Sequence, residues 1–358
     1  MLEKSPPACS REDKLPTLPK CDWDEGYSPE AVLAMNSGNA SLATTEQLLT
    51  GALHALEIED KRLLAERKLV LTNDDGTPMT SVSWNPSHDS AQLKATMGVN
   101  AELLLSNVNK NNDKYIQALA VIGECGDSRY VAFGGNPFSV KKANNEQMNT
   151  LLKNTIRWLA GTTGKDPITL RIAQLSQTYW FPHEKYSRAW FDKFMPEVTY
   201  NGIGDCDGAN LDECTKGIDV LVVSQRYDTD KPEEPAAIAA SVKRAMDAGV
   251  SILYLHNGRY MNPLGEQLFG LMDVVYRANN YWNKARLDNA DPTPGNTPNA
   301  GRESMKEMLR RVRDRDVDFE TADIYKKPKS NEAYVSQIGA CHEYIFENDM
   351  MDKSQSSQ

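Results

Sequence analysis

Asp219–Gly258, DVLVVSQRYDTDKPEEPAAIAASVKRAMDAGVSILYLHNG, is the stretch whose reading decides the fold. Val220–Val223 is a short, β-branched apolar run, the composition of a strand covered on both faces. A polar loop with Pro232 follows, and Ile238, Val242, Ala245 and Met246 then recur at helical spacing. Gly249 stands where a helix-terminating glycine belongs, and Ser251–Leu255 reads as a second buried strand. Strand, helix, strand in this order predicts two parallel strands joined by a right-handed crossover, hence an open α/β sheet. Such sheets bind ligands at the carboxyl ends of their strands. The candidate ligand contacts are therefore Gln225 and Tyr227 after the first strand, and His256, Asn257 and Arg259 after the second. An enzyme of this architecture places a nucleophile after the second strand, where this chain has His256-Asn257-Gly258-Arg259. No catalytic residue is assigned.

Working outward, the first half supplies further strands and helices. Leu48, Leu49, Leu53, Leu56, Leu63 and Leu64 predict one or two amphipathic helices over residues 44–68, with His54 read as a packed core residue. Residues 68–84 hold two extended runs around Asp75-Gly76, a hairpin signal. Ser87 or Asp89 is read as the cap of the next segment. Ala101–Leu105, Ala118–Gly123 and Arg129–Phe133 read as strands, the last two as a hairpin with Cys125 near its tip. Met148, Leu151, Leu152, Ile156 and Leu159 mark a helix closed by Gly161. Ile168–Leu175 reads as a strand, and Tyr186, Trp190, Phe191 and Phe194 as the stripe of the following helix. Together these predict a doubly wound, mostly parallel sheet with flavodoxin-like winding, to which strands from both halves contribute. Residues 1–43 read as leader or linker, 44–290 as the α/β domain, and 291–358 as a linker and helical extension that starts something unfinished.

Composition excludes several classes. The 358 residues carry 40 Lys and Arg against 50 Asp and Glu, a net charge of −10, which argues against a nucleic-acid footprint. No apolar run is long enough to span a bilayer. The six cysteines fit three disulfides in an oxidising compartment, with Cys206 and Cys214 the favoured pair, or they are free thiols; none has paired zinc-site spacing. His183-Glu184 begins like a zinc-peptidase helix, but Ser187 stands where the second histidine would have to be. No metal ligand is assigned. The acidic run Asp205–Glu213 could hold calcium; its glycine does not fit an EF-hand loop, and a solvated loop is preferred.

Two sets of residues carry a family resemblance. One is Thr80-Ser81-Val82-Ser83-Trp84-Asn85-Pro86-Ser87-His88-Asp89-Ser90, followed by Asn100, Leu105 and Asn107. The other is the hairpin VIGECGDSRYVAFGGNPF, a helix ending in Ile156-Arg157-Trp158-Leu159, and the Asp219–Gly258 unit. Over residues 45–345 the chain resembles the N-terminal, non-catalytic region of secreted immunomodulating metalloproteases, accessory colonisation factors and SslE-type mucin-degrading lipoproteins. The resemblance implies an exported or cell-surface accessory module. Its partners would be a peptidase domain of the same protein and a glycoprotein or glycan. Zinc would sit only in the separate peptidase domain, with no cofactor in this chain. The Asp219–Gly258 unit is also similar in fold to class I glutamine amidotransferase-like and trehalose-utilisation-like domains. That likeness implies the alternative of a hydrolase or amidotransferase-like enzyme working at the strand ends, although neither the nucleophilic cysteine nor the His–Glu pair is found.

Overall fold

The computed structural model describes residues 28–286 except 38, 80–81, 85–89, 96–99, 107–117, 126, 141–142, 163–166, 173–182, 201–209, 225–233, 257–260 and 281–284. Helices α1 (Pro29–Ser37) and α2 (Thr45–Val70) come first, so helical structure begins ahead of residue 44. Strands β1 (Ser90–Lys94), β2 (Asn100–Ser106), β3 (Ala118–Cys125) and β4 (Ser128–Phe133) follow, then α3 (Glu146–Leu159), β5 (Ile168–Ile172), α4 (His183–Phe194) and β6 (Val198–Tyr200). The chain continues through α5 (Leu211–Cys214), β7 (Val220–Ser224), α6 (Glu234–Asp247), β8 (Ser251–Leu255), α7 (Pro263–Leu271), β9 (Val275–Asn280) and β10 (Ala285–Arg286).

All ten strands among the described residues belong to one sheet, as expected, in the order β10-β2-β3-β4-β8-β7-β5-β6, with β1 paired to β3 and β9. From β4 to β6 the five neighbouring strands are parallel. Outboard of β4 the pairings are antiparallel. The winding follows from handedness. Right-handed crossovers that step one way across the sheet put their helices on one face, and those that step back put them on the other. Accordingly α3 and α4 share the face where Phe133, Leu170, Val220, Val222, Leu253 and Leu255 pack with Leu63 and Leu64 of α2. The opposite face, with Tyr130, Leu221, Val223, Ile252 and Tyr254, is covered by residues of α5, α6 and α7.

Local chemistry explains the element ends. Thr44 and Gln47 form a reciprocal capping box at the start of α2. Its far end is closed from outside: the Asn154 amide of α3 donates to Val70 O at 3.1 Å and Thr72 O at 2.7 Å. Helix α6 ends at Gly249, φ 81°, whose N–H reaches Met246 O while Val250 N–H reaches Ala245 O, at 2.8 and 2.9 Å. That double closure needs a left-handed residue, which glycine adopts without steric cost.

Several local expectations are corrected. Lys68–Val70 is the last turn of α2, and the expected hairpin around Asp75-Gly76 shrinks to a tight turn with one bridge, Thr72 to Pro78. The segment after residue 89 is strand β1, and Ser87 and Asp89, read as its cap, lie outside the described residues. His54 is exposed on α2, because the leucine stripe turns away from it, and Tyr186 is exposed while Trp190 and Phe191 are buried. No helix among the described residues is long and apolar enough to cross a membrane.

Candidate functional site

The topology locates the crevice more narrowly than the sequence does. Strand β5 leads through α4 to β6 on one side, whereas β7 leads through α6 to β8 on the other. Neighbouring strands whose connections leave in opposite directions open a crevice at their carboxyl ends, here beyond Ile172 and Ser224. Asp219 holds the other end of these strands together. Its carboxylate accepts from Thr169 N–H at 2.9 Å, its N–H donates to Thr169 O, and its carbonyl accepts from Ser251 N–H.

Of the five expected ligand contacts, Gln225, Tyr227, Asn257 and Arg259 lie outside the described residues. In the sequence, Gln225 directly follows β7, and Asn257 and Arg259 come after β8. His256 is described, and the structure corrects the expectation of an accessible ring. It is 1% exposed. Its N–H continues the β8–β4 pairing by donating to Phe133 O at 2.9 Å. Even-numbered residues of β8 face the α6–α7 side, so the ring enters an aromatic box of Phe269, Tyr276 and Tyr254 at centroid distances of 5.9, 6.1 and 6.0 Å. Tyr254 Oη lies 2.9 Å from its Nδ1, and Nε2 has no partner. Burial pushes its pKa down to about 3, because charging the imidazole there would forfeit hydration without gaining a counter-ion. The position directly after β8 thus holds a neutral, enclosed imidazole, while Asn257, which follows it, lies outside the described residues.

At the opposite end of the parallel strands lies a charged cluster that sequence reading missed. Arg62 of α2 contacts Glu59 at 2.9 Å, Glu66 at 2.8 Å and Glu124 of β3 at 2.7 Å. Arg129 of β4 pairs with Glu124 at 3.2 Å, donates to Trp158 O at 2.9 Å and lies over the Trp158 ring. The Trp158 indole N–H donates to Glu66 at 2.9 Å, which closes a ring through α2, β3, β4 and α3. Glu66 and Glu124 both accept from the same nitrogen, Arg62 Nη1, at 2.8 and 2.7 Å, so the two carboxyl groups stand side by side. Burial, then the neighbouring Glu124, raises the Glu66 pKa to about 7. Glu124 is held below its ordinary range by Arg62 and Arg129 against the cost of its own burial. Glu59, Arg62 and Glu66 at spacings of three and four residues lie on one helix face, the one signal in the sequence that could have revealed the cluster.

The acidic run is partly spoken for. Asp212 takes a two-bond contact from Arg244 of α6 at 3.1 and 2.7 Å, and Glu213 pairs with Lys216 at 2.7 Å. The Arg244 guanidinium holds the Asp212 carboxyl below its ordinary range. Residues 205–209 of this run lie outside the described residues. Among the described residues no His, Cys, Asp and Glu grouping could hold a metal ion.

Residues 68–282 match the family described as the immunomodulating metalloprotease N-terminal domain. Among solved structures, an IMPa metallopeptidase in complex with T-antigen is similar at a TM-score of 0.51 and 18% identity, with 79% of this chain and 30% of that chain covered. IMPa from Pseudomonas aeruginosa in complex with an O-glycopeptide gives 0.49 and 17%, with the same coverage of 79% and 30%. This chain therefore spans under a third of those chains, and the likeness is one of fold. No curated protein matches.

Proposed function

Since the chain belongs to the immunomodulating metalloprotease N-terminal domain family, we propose that it is a non-catalytic module of a secreted zinc metallopeptidase directed at glycoproteins. The module is amidotransferase-like in its winding and positions the peptidase on O-glycosylated substrate. One observation carries the non-catalytic reading: the position after β8 is filled by His256, sealed in an aromatic box and neutral. A group with no solvent access can neither attack a substrate nor relay a proton to one. The same observation disfavours a hydrolase working from the strand ends.

The proposed glycan contacts are Gln225 and Tyr227, which follow β7 in the chain, and Asn257 and Arg259, which follow β8. They supply a planar amide, an aromatic face and a rigid donor fork. Substituting Gln225 and Arg259 by alanine is expected to weaken binding of an O-glycopeptide about tenfold or more, with the melting temperature within a few degrees of the parent. His256→Ala, by contrast, empties a buried box and lowers the melting temperature first. Calorimetry and thermal unfolding separate the two. Unchanged affinity in the folded Gln225→Ala, Arg259→Ala double variant would move the site elsewhere.

Export fits a Cys206–Cys214 disulfide, with Cys214 buried at the end of α5. Peptide mapping under non-reducing conditions is expected to recover the two cysteines in one linked fragment. Free alkylation of both in the secreted protein would refute the pairing.

A further inference from the structure

Two carboxyl groups crowded onto one guanidinium nitrogen, Glu66 of α2 and Glu124 of the sheet on Arg62 Nη1, favour a proton between them unless the surrounding cations neutralise both. Here the cations are Arg62 and Arg129, and they face three carboxylates: Glu59, Glu66 and Glu124. One negative charge is in excess when all are ionised. Trp158 of α3 adds a neutral donor on Glu66 but no charge. Arg67 of α2 and Glu102 of β2 are also buried and engaged in interactions, and the ion pairs of the cluster do not include them. Solvent does little to relieve the imbalance, because the side chains of Arg62, Glu66, Arg129 and Glu124 are 10, 2, 6 and 14% exposed.

From this geometry we infer that Glu66 and Glu124 share one proton, and that this proton latches α2 onto the sheet and makes attachment of the helix respond to pH. With the proton in place, Glu66 to Glu124 is a hydrogen bond within a charge-balanced cluster. Once it leaves, two carboxylates face each other in a dry contact, and the repulsion acts directly across the α2–β3 junction. Leu63, Leu64 and Val70 of α2 also pack in the core, and the Asn154 amide holds the end of the helix; neither contact involves a titrating group.

The sign follows from the two carboxyls. Glu66 holds its proton up to about pH 7 when folded, against an ordinary value of 4.5, so its contribution is complete below the ordinary value and lost as pH rises towards 7. Glu124 is shifted the other way, and its contribution is lost only in acid, as pH falls below the ordinary range. His256 is also shifted, with a folded pKa of about 3. Because it is buried neutral, its contribution is complete above the ordinary histidine value and declines below it, which partly masks the Glu66 slope in the parent protein. The informative quantity is therefore the difference between the parent and Glu66→Gln, in which His256 cancels.

Glutamine keeps the shape of Glu66 and an acceptor for the Trp158 indole, and it needs no proton. Relative to the parent, the folding equilibrium constant of Glu66→Gln is expected to rise about tenfold or more between pH 5 and pH 8. The Trp158 indole N–H resonance, assigned with Trp158→Phe, should titrate near neutrality in the parent and stay flat in Glu66→Gln. A parent-to-variant difference that does not change with pH would overturn the inference. Should the variant fail to fold, infrared titration of the parent decides: the stretch of a protonated carboxyl persisting above about pH 6 supports the shared proton, and its absence there refutes it.

Discussion

Replacing Arg129 by alanine is expected to lower the stability of the folded chain by about 3–5 kcal/mol, the usual cost of removing one partner from a buried ion pair. That corresponds to a fall in melting temperature on the order of 10 °C. Arg129 satisfies Glu124 and Trp158 O and packs its guanidinium on the Trp158 ring, so its removal leaves a buried carboxylate facing Arg62 alone. The unneutralised charge on Glu124, more than the missing guanidinium packing, sets the size of the effect. Combining Arg129→Ala with Glu124→Gln should therefore recover part of the stability. Differential scanning calorimetry of the two variants checks this. A single variant within about 1 kcal/mol of the parent would mean that water, not Arg129, solvates Glu124.

Trp84→Ala is the second large effect, at about 3–5 kcal/mol. Trp84 is fully buried and meets Phe133 edge-on at 6.0 Å. Its ring lies so close to Gly135 that a Cβ added there would stand 3.3 Å from it. The indole N–H has no partner, so the cost is almost purely one of volume and packing. Trp84→Phe should then cost much less than the alanine variant, with no hydrogen bond to forfeit. Chemical denaturation should give that ranking; equal destabilisation by the two substitutions would show that indole shape, not volume, is what the core requires.

What could be read from the sequence follows a physical division. Strands buried on both faces, such as Val220–Ser224 and Ser251–Leu255, announce themselves by continuous apolar runs, and α6 by its stripe and Gly249. The β3–β4 hairpin was legible for the same reason. Strand β1, Ser-Ala-Gln-Leu-Lys, was not: it is short and half polar, and its main partner lies about 185 residues away, where no local pattern reports it. The site divided likewise. The strand ends were legible because α/β topology dictates them, but the enclosure of His256 was not. A polar residue just past a strand reads as solvent-facing unless the aromatic residues that cover it, Phe269 and Tyr276, are known to return there. The spacing of Glu59, Arg62 and Glu66 is what any solvated helix face shows, and only the fold brings Glu124 and Arg129 against them.

The pairing of β1 with β9 also constrains how the protein is made. Ser90–Lys94 aligns with Val275–Asn280 over five residue pairs, so β1 has one register contact with β3 and otherwise waits for β9. On a ribosome adding about 5–20 residues per second, the partner emerges roughly 10–40 s after β1. For that interval the nascent chain carries an open strand edge, the kind of surface that recruits other chains. The polar residues of β1, which hid it from sequence reading, are what keep that edge quiet during synthesis.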